Sequence, residues 1–114
     1  MKLDSAVFYS NDIDKVTDFY KNIIGLEVVY KREDKFVSFK LSNGVKLGIK
    51  KAIEEREKPG AQTIFIAVDN IEEQYEKFKN LDSTFYKELK VESWGKEFAI
   101  LDPDGNKLEF VQSK

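Results

Sequence analysis

The stretch Ile100–Val111, which reads Ile-Leu-Asp-Pro-Asp-Gly-Asn-Lys-Leu-Glu-Phe-Val, predicts two apolar strands joined by a tight turn at Asp102–Gly105. The proline of this turn fixes φ, Gly105 supplies a positive-φ position, and the Asp102 carboxylate can accept hydrogen bonds from the turn's own amides. Alternation in the second strand places its Leu and Phe on one face and Glu109 on the other. What Glu109, the only carboxylate of that strand, does on its face is the main functional question.

The composition indicates one folded domain that spans residues 1–114. A hydrophobic content of 41%, with nine Phe, five Tyr and one Trp, suits a packed globule rather than a disordered chain. The net charge of −2 gives no basic surface for nucleic acid, and no apolar run approaches the roughly 18 residues that a membrane span needs. The first residues also lack the apolar run of a signal peptide. We therefore expect a cytoplasmic protein with no nucleic-acid or membrane partner.

Cysteine and histidine are both absent from the sequence. Without cysteine there is no disulfide, no thiolate nucleophile and no thiolate metal site. Without histidine the usual general base near neutral pH and the commonest metal ligand are missing. A metal ion would need oxygen ligands alone, which favours Mg²⁺ or Ca²⁺ over Zn²⁺, Ni²⁺ or Fe²⁺.

The order of predicted elements repeats once along the chain. Repeat one (3–51) and repeat two (62–112) each read as strand, helix, strand, strand, strand, and a charged linker (52–61) that contains Pro-Gly separates them. In repeat one a helix that begins at Asn11 or Asp12 and ends at Gly25 lies among predicted strands Ser5–Tyr9, Leu26–Lys31, Phe36–Leu41 and Val45–Lys50. In repeat two a helix with Asn70 and Glu73 in capping-box spacing lies among strands Thr63–Val68, Ser83–Leu89, Gly95–Leu101 and Asn106–Gln112. Asn43-Gly44 predicts a two-residue hairpin between the last two strands of repeat one.

Alternation gives each predicted sheet one apolar face, which we expect to lie under the helices. The apolar face holds Ala6, Phe8, Val45, Leu47, Ile49, Ile64, Ile66, Val68, Leu108 and Phe110. The opposite face is mixed and holds Ser5, Val7, Tyr9, Lys46, Gly48, Lys50, Thr63, Phe65, Ala67, Lys107, Glu109 and Val111. We predict an α+β fold of two tandem βαβββ repeats, whose curved mixed sheets surround a concave groove and carry the helices on the convex face. A groove with a few polar groups among apolar walls is typical of small-molecule sites.

Two motifs of the sequence resemble those of one family. Asp12-Ile13, followed by Phe19-Tyr20 and Ile24-Gly25-Leu26, is similar to the opening of the vicinal oxygen chelate superfamily, which groups glyoxalases, bleomycin-resistance proteins and extradiol dioxygenases. Trp94-Gly95-Lys96, and then Asp102–Asn106 with Leu108-Glu109, is similar to the close of that family. The resemblance runs from about Leu3 to Val111, and it implies the same two-repeat fold.

The resemblance also implies where a metal would bind in metal-dependent members. Their four ligands match Ser5, Gly48, Thr63 and Glu109, all of which lie on the mixed face. Of these positions only Glu109 keeps a ligating side chain, because Gly48 has none and Ser5 and Thr63 are weak neutral donors. We therefore expect no metal and no other cofactor. We expect instead that Glu109 pairs with Lys46, Lys50 or Lys107, or accepts a hydrogen bond from Ser5 or Thr63.

Three functions agree with this reading. The first is a metal-independent protein that binds and sequesters a small molecule, as the bleomycin-resistance branch does in a groove between two subunits. The second is a metal-independent lyase or isomerase that uses Glu109 as general acid or base, although no nucleophile–base pair is visible. The third is a dimeric accessory protein whose groove is only partly used. Whether the chain is an enzyme is left open, with binding favoured.

The predicted ligand-binding set is drawn from the mixed face, together with the isolated Trp94. Aromatic rings such as Tyr9, Phe65, Tyr86 and Trp94 can stack on a planar ligand, and the lysines favour an anionic one, although solvated strand lysines are also common. The set comprises Ser5, Val7, Tyr9, Lys46, Gly48, Lys50, Thr63, Phe65, Trp94, Lys107 and Glu109. A second copy of the chain is the expected partner, because two half-sheets from one chain of this size bury little of the groove.

Overall fold

The computed structural model describes all residues from Met1 to Lys114, and they form two compact units, Met1–Gly60 and Ala61–Lys114. The first unit contains β1 (Ser5–Ser10), α1 (Ile13–Asp18, continued by a π-helical segment Phe19–Ile24), β2 (Glu27–Arg32), β3 (Phe36–Lys40) and β4 (Lys46–Lys51). The second contains β5 (Thr63–Ala67), α2 (Ile71–Asn80), β6 (Phe85–Glu92), β7 (Gly95–Leu101) and β8 (Lys107–Ser113). The predicted α+β class with two tandem βαβββ repeats is confirmed. Neither helix is long and apolar enough to cross a membrane.

Each unit has one four-stranded mixed sheet with the same topology. The strand order is β1-β4-β3-β2 in the first unit and β5-β8-β7-β6 in the second. The first strand of each unit pairs in parallel with the last, and the remaining neighbours are antiparallel. In each unit the helix contacts the third and fourth strands.

The first helix begins where the sequence predicts and ends in a wider turn than expected. Asp12, not Asn11, is the N-cap, and its carboxylate accepts a hydrogen bond from the Lys15 amide at 3.1 Å. The second half of the helix is π-helical, and Gly25 ends it at φ +90°, with its N–H donating to the Tyr20 carbonyl at 3.1 Å. That five-residue spacing is the hydrogen bond of a π turn.

The predicted two-residue hairpin at Asn43-Gly44 is wrong. The Leu41 amide donates to the Val45 carbonyl at 2.9 Å, and the Gly44 amide donates to the Leu41 carbonyl at 3.0 Å. These bonds define a three-residue loop in which a tight turn is followed by a residue in the left-handed region. Gly44 takes that position at φ +86°.

The turn between β7 and β8 has the same hydrogen bonds. The Asp102 amide donates to the Asn106 carbonyl and the Gly105 amide donates to the Asp102 carbonyl, both at 2.9 Å. As predicted, the Asp102 carboxylate also accepts from the amides of Asp104 and Asn106, each at 2.9 Å. Gly105 has φ +92°. The equivalence of the two turns confirms the internal repeat at the level of single hydrogen bonds.

The predicted capping box of α2 is wrong in one respect. Asn70 is the N-cap, but its side-chain amide donates to the Glu73 carboxylate at 2.9 Å instead of accepting from the helix backbone. The Ile71 amide is satisfied from β8, where the Gln112 side-chain oxygen accepts its hydrogen bond at 2.8 Å. A tertiary contact therefore replaces the local cap.

The predicted apolar face is the buried one within each unit. None of its members is exposed, and the most buried are Phe8, Leu47, Ile49, Leu108 and Phe110. On β8 the alternation is visible directly, because the Phe110 ring lies 5.2 Å from the Phe78 ring of α2. Glu109 and its neighbours therefore belong to the face of the second sheet that points away from α2.

The charged linker contains one buried carboxylate, which its composition does not predict. Glu57 is 6% exposed and accepts hydrogen bonds from the Lys50 ammonium at 2.7 Å and from the amides of Ile53 and Glu54 at 2.9 and 3.0 Å. The Lys50 ammonium is the main cause, and the two amides the next, of a Glu57 pKa lowered to about 2.

Acid should therefore destabilise the protein partly through Glu57. Its pKa is about 2 in the folded chain against 4.5 when unperturbed, so the unfolded state binds more protons between these values and stability falls as the pH drops through them. We expect Glu57→Gln to be less stable than the wild type at neutral pH and to lose less further stability over that acidic range. Urea unfolding across the range measures both curves. The neighbouring exposed Glu55→Gln should follow the wild type, and a Glu57→Gln curve parallel to the wild type would contradict the assignment.

Candidate functional site

Strand register on the second sheet gathers the side chains around Glu109. Phe65 of β5 and Ala99 of β7 are the direct neighbours of Glu109, and Thr63 is the neighbour of Lys107. Residues that pair across strands share a face, so these side chains lie together on the face away from α2. We call this surface the open face of the second sheet.

A β-bulge in β6 adds two further residues to the open face. The pairing of β6 with β7 shifts between Phe85 and Lys87, and Lys87 is the partner of Ala99. The Tyr86 ring also reaches this face, because the Lys107 ammonium lies 4.6 Å from its centroid. An extra residue at a bulge breaks strict alternation, which is why two consecutive side chains share one face.

Four charged side chains form a connected cluster on the open face. The Lys87 ammonium donates to Glu97 in a short contact and lies 3.4 Å from the Glu109 carboxylate. Glu109 lies 3.9 Å from the Lys107 ammonium. The two carboxylate side chains are 14% and 3% exposed for Glu97 and Glu109, whereas the lysine side chains are 38% and 26% exposed for Lys87 and Lys107. The two lysine side chains are therefore the more exposed members of the cluster.

The cluster shifts the pKa values of two of its members. The hydrogen bond that Lys87 donates to Glu97, with help from the Glu109 charge, raises the pKa of Lys87. The hydrogen bond that the Lys87 ammonium donates is the main cause of a lowered Glu97 pKa, and the charge of Lys90 also lowers it. Lys87 and Glu97 are thus both charged at neutral pH.

Two exposed aromatic rings flank the cluster. Phe65 is 71% exposed on the edge strand β5, and Tyr86 is 60% exposed on the opposite edge strand β6. Three strand spacings separate these edges, which amounts to about 14 Å. Large rings exposed to this extent on a strand face are candidates for contact with a ligand or a partner.

The sequence predicted one of the ion pairs of Glu109 and missed the closer one. Lys107 is a partner, as expected, but the nearest ammonium is that of Lys87. Glu97 was missed as well, although alternation along β7 places it on the same face as Ala99. Lys87 could not be placed in this way, because the bulge breaks the alternation of β6.

The other predicted site residues lie on the corresponding face of the first sheet. In the parallel register of β1 and β4, the neighbours are Ser5 with Lys46, Val7 with Gly48, and Tyr9 with Lys50. Lys46 pairs with Asp4 at 3.3 Å and Lys50 with Glu57 at 2.7 Å. Both lysines have carboxylate partners within their own unit, and of the three lysines predicted as alternative partners of Glu109, Lys107 is the one that lies near it.

Gly48 is where a ring packs on the sheet. A Cβ atom at this position would lie 3.0 Å from the tip of the Phe36 ring and 3.4 Å from a Val7 methyl group. The Phe36 ring also lies 6.3 Å from the Tyr30 ring on the edge strand β2. The space over Gly48 therefore holds an aromatic side chain in place of a polar one.

The donor set does not fit the metal that some members of the resembled family bind. Of the four matching positions, Gly48 has no donor and is covered by Phe36, and Ser5 and Thr63 offer only neutral hydroxyl groups. Glu109 is already paired with two ammonium groups, which would repel a dication. No group of three Asp or Glu side chains in the chain could hold a metal ion.

Trp94 lies apart from the cluster. It occupies the turn between β6 and β7, is 43% exposed, and precedes Gly95, which pairs with Ser113. Glu109 is four residues before Ser113 on β8, which corresponds to about 13 Å along the strand. A cavity of about 290 Å³ near this turn is lined by Val91, Gly95, Lys96, Gln112, Ser113 and Lys114. It contains no member of the charged cluster.

Comparisons with solved structures agree with this architecture. Lactoylglutathione lyase from Agrobacterium tumefaciens superposes with a TM-score of 0.83 at 21% identity, covering 97% of this chain and 92% of that one. TnmS3, an antibiotic binding protein from Streptomyces sp. CB03234, superposes with a TM-score of 0.86 at 16% identity, covering 100% and 97%. A glyoxalase/bleomycin resistance protein/dioxygenase from Nocardioides gives 0.78 at 16%, covering 99% and 83%. At these identities the likeness shows the fold alone.

Comparison of the sequence with families gives a broader assignment. No curated protein matches the chain in sequence. The sequence model of one family matches residues 2–110, which is nearly the whole chain. The chain belongs to the Glyoxalase/Bleomycin resistance protein/Dioxygenase superfamily.

Proposed function

We propose that this protein binds and sequesters a small molecule without a metal ion, and that the open face of the second sheet is part of the binding site. The observation that carries the proposal is the arrangement of two exposed rings, Phe65 and Tyr86, on either side of a partly buried charged cluster. Rings at a site of this kind can stack on a flat ligand, and each good ring contact contributes about 0.5–1.5 kcal/mol beyond burial. The solved structure of TnmS3, described as an antibiotic binding protein, is a precedent on this fold.

The charge that faces solvent favours an anionic group on the ligand. Lys87 and Lys107 are more exposed than the two carboxylates that neutralise them. A ligand carboxylate can therefore approach an ammonium without first displacing a protein carboxylate. Hydrogen bonds to charged groups contribute about 1.5–3 kcal/mol, which is enough to prefer an anion over a neutral analogue.

The geometry supports the enzymatic alternative less well. A general base must reach the proton that it removes, whereas the Glu109 side chain is 3% exposed and its oxygens face the Lys87 and Lys107 ammonium groups. A lyase or isomerase that used Glu109 would first have to separate these pairs. Similarity to lactoylglutathione lyase adds no support, since it concerns the fold alone.

A second copy of the chain in the cytoplasm is the partner that we propose. Val29 and Tyr30 are exposed on the edge strand β2, so a second copy that covered this edge would remove apolar surface from water. The proposed ligand-binding set also keeps four residues of the first sheet, Ser5, Val7, Tyr9 and Gly48. It keeps Trp94, in the turn between β6 and β7.

A planar carboxylate tests the proposed function. We expect naphthalene-2-carboxylate to bind saturably in isothermal titration calorimetry, and the neutral naphthalene-2-carboxamide to bind about tenfold more weakly, because the charged hydrogen bond is lost. Phe65→Ala should weaken carboxylate binding about fivefold through loss of ring contact.

The control for this experiment is Val91→Ala. Val91 is also an apolar residue that is 71% exposed, and its strand partner Lys96 pairs with Glu72 of α2, which places Val91 on the other face. We expect its binding curve to match the wild type. Absence of saturable binding by the wild type, or equal losses in Phe65→Ala and Val91→Ala, would refute the proposed site.

A further inference from the structure

Two carboxylates of the open face converge on a single ammonium group. The Lys87 Nζ atom donates to Glu97 and to Glu109, the latter at 3.4 Å, and comes from a different strand than either. Of the two acids, the other lysine of the cluster, Lys107, lies near Glu109 alone, at 3.9 Å. Lys87 is therefore the one cation that joins both acids.

We infer that Lys87 takes the place of a metal ion at this site, and that it also contacts the ligand. Its ammonium occupies the position between Glu97 and Glu109 that a divalent ion would otherwise fill. It presents its remaining N–H to an oxygen atom of the ligand. The second half of this inference rests on the proposed function. The first half concerns the chain alone and can be tested without a ligand.

The chemistry of the two acids explains the first half. Two neighbouring carboxylates shielded from water need a positive partner, and either a hard dication or an ammonium can supply it. Glu97 and Glu109 are 14% and 3% exposed, so water alone compensates them poorly. Lys87 supplies the charge from within the chain, and together with Lys107 it makes the cluster neutral.

The donor count explains the second half. An ammonium has three N–H groups, and in this structure Glu97 and Glu109 accept from Lys87. No third protein acceptor contacts it, and the side chain is 38% exposed on the open face. A carboxylate or carbonyl oxygen of a bound molecule can take the third position without breaking either ion pair.

The raised pKa of Lys87 supports this role. Glu97 first, and the charge of Glu109 in addition, stabilise the ammonium form, so the group carries its charge throughout the neutral range. A lysine held in this way offers a fixed positive charge at a defined point. It does not act as a proton donor to substrate, because its proton is held more tightly than usual.

Removing this lysine should convert the acid pair into a weak metal site. We expect Lys87→Met to bind Mn²⁺ with a Kd of about 1 mM, in the range of weak oxygen-ligand sites, and the wild type to bind it at least about tenfold more weakly. The decrease of the free Mn²⁺ signal in electron paramagnetic resonance measures both. The double variant Lys87→Met/Glu97→Gln should lose the gain, because only one carboxylate then remains.

A lysine on the same strand provides the matched control. Lys90 forms its ion pair with Glu92, at 3.2 Å, and its side chain is 67% exposed. Its charge also acts on Glu97, its neighbour in the strand register, but it does not join Glu97 to Glu109. Lys90→Met should leave Mn²⁺ binding as weak as in the wild type. Lys87→Gln replaces Lys87→Met if circular dichroism shows the latter to be unfolded. Equal Mn²⁺ binding by the folded position-87 variant and the wild type would overturn the first half of the inference.

The second half of the inference is tested by measuring the binding of naphthalene-2-carboxylate. We expect Lys87→Met to bind it at least about tenfold more weakly, since a charged hydrogen bond is lost, and Lys87→Arg to keep most of the affinity. Unchanged affinity in Lys87→Met would overturn the second half of the inference. Failure of the wild type to bind the carboxylate would instead count against the proposed function, and it would leave the Mn²⁺ result standing.

Discussion

Gly95→Ala is expected to leave the protein largely unfolded, or destabilised by about 3 kcal/mol or more, because a new Cβ atom would overlap backbone that cannot rotate away. At this position a Cβ would lie 2.1 Å from the Gln112 carbonyl oxygen and 2.9 Å from the Ser113 Cα. Gly95 also has φ +157°. Relief would require β7 and β8 to separate where they pair. The urea midpoint of unfolding, followed by circular dichroism, measures the loss.

Gly44→Ala separates the effect of crowding from that of backbone conformation. Gly44 also has a positive φ, of +86°, but no atom beyond its two chain neighbours lies within 4 Å of the position that its Cβ would take. Its cost should therefore be only the penalty for a left-handed alanine, about 1 kcal/mol. If the two variants lose equal stability, the clash with Gln112 is not what requires glycine at position 95.

Short-range chemistry explains which parts of the fold can be predicted from the sequence. The Asp102–Gly105 turn is specified by its own residues, since the Asp102 side chain binds amides two and four positions further on. Alternation then assigns Leu108 to the helix side and Glu109 to the other, as the structure has them. In such segments local and tertiary preferences agree.

The predictions that were wrong or incomplete concern positions where distant residues override a local sequence signal. Asn70 and Glu73 have capping-box spacing, but Gln112 of β8 supplies the acceptor for Ile71 from 41 positions away. The bulge of β6 cannot be predicted from its composition, and for that reason Lys87 was absent from the predicted site. A one-residue shift in a strand moves a side chain to the opposite face.

The buried Glu57 illustrates a further limit. Composition marked its segment as a solvated connection, and most of its charged residues are exposed. The loop nevertheless turns back, so that the Glu57 carboxylate accepts hydrogen bonds from the Lys50 ammonium and from the backbone amides of Ile53 and Glu54. A carboxylate with several donors can be buried in an otherwise polar segment, and no periodic pattern indicates which of several glutamates it is.

Phe98→Ala should cost about 3–5 kcal/mol, a large fraction of the stability of a domain of this size. The Phe98 ring is fully buried on the helix side of β7. It stacks on the Phe110 ring at 5.0 Å and contacts the rings of Tyr75, Phe78 and Phe85 at 5.3, 6.1 and 6.0 Å. Truncation would leave a cavity surrounded by four rings that cannot all move inward. Thermal and urea unfolding should both report the loss.

Phe65→Ala, on the opposite face of the sheet, should weaken carboxylate binding and leave stability unchanged, the reverse of what we expect for Phe98→Ala. Phe65→Ala removes a ring that is 71% exposed, so its unfolding free energy should stay within about 0.5 kcal/mol of the wild type while carboxylate binding weakens. Phe98→Ala, measured below its own melting temperature, should keep binding because Glu97 and Ala99 remain on the open face. A Phe98→Ala variant of normal stability would mean that the ring cluster does not hold β7 in place. Loss of stability in Phe65→Ala would mean that this ring packs within the fold and does not serve as a ligand contact.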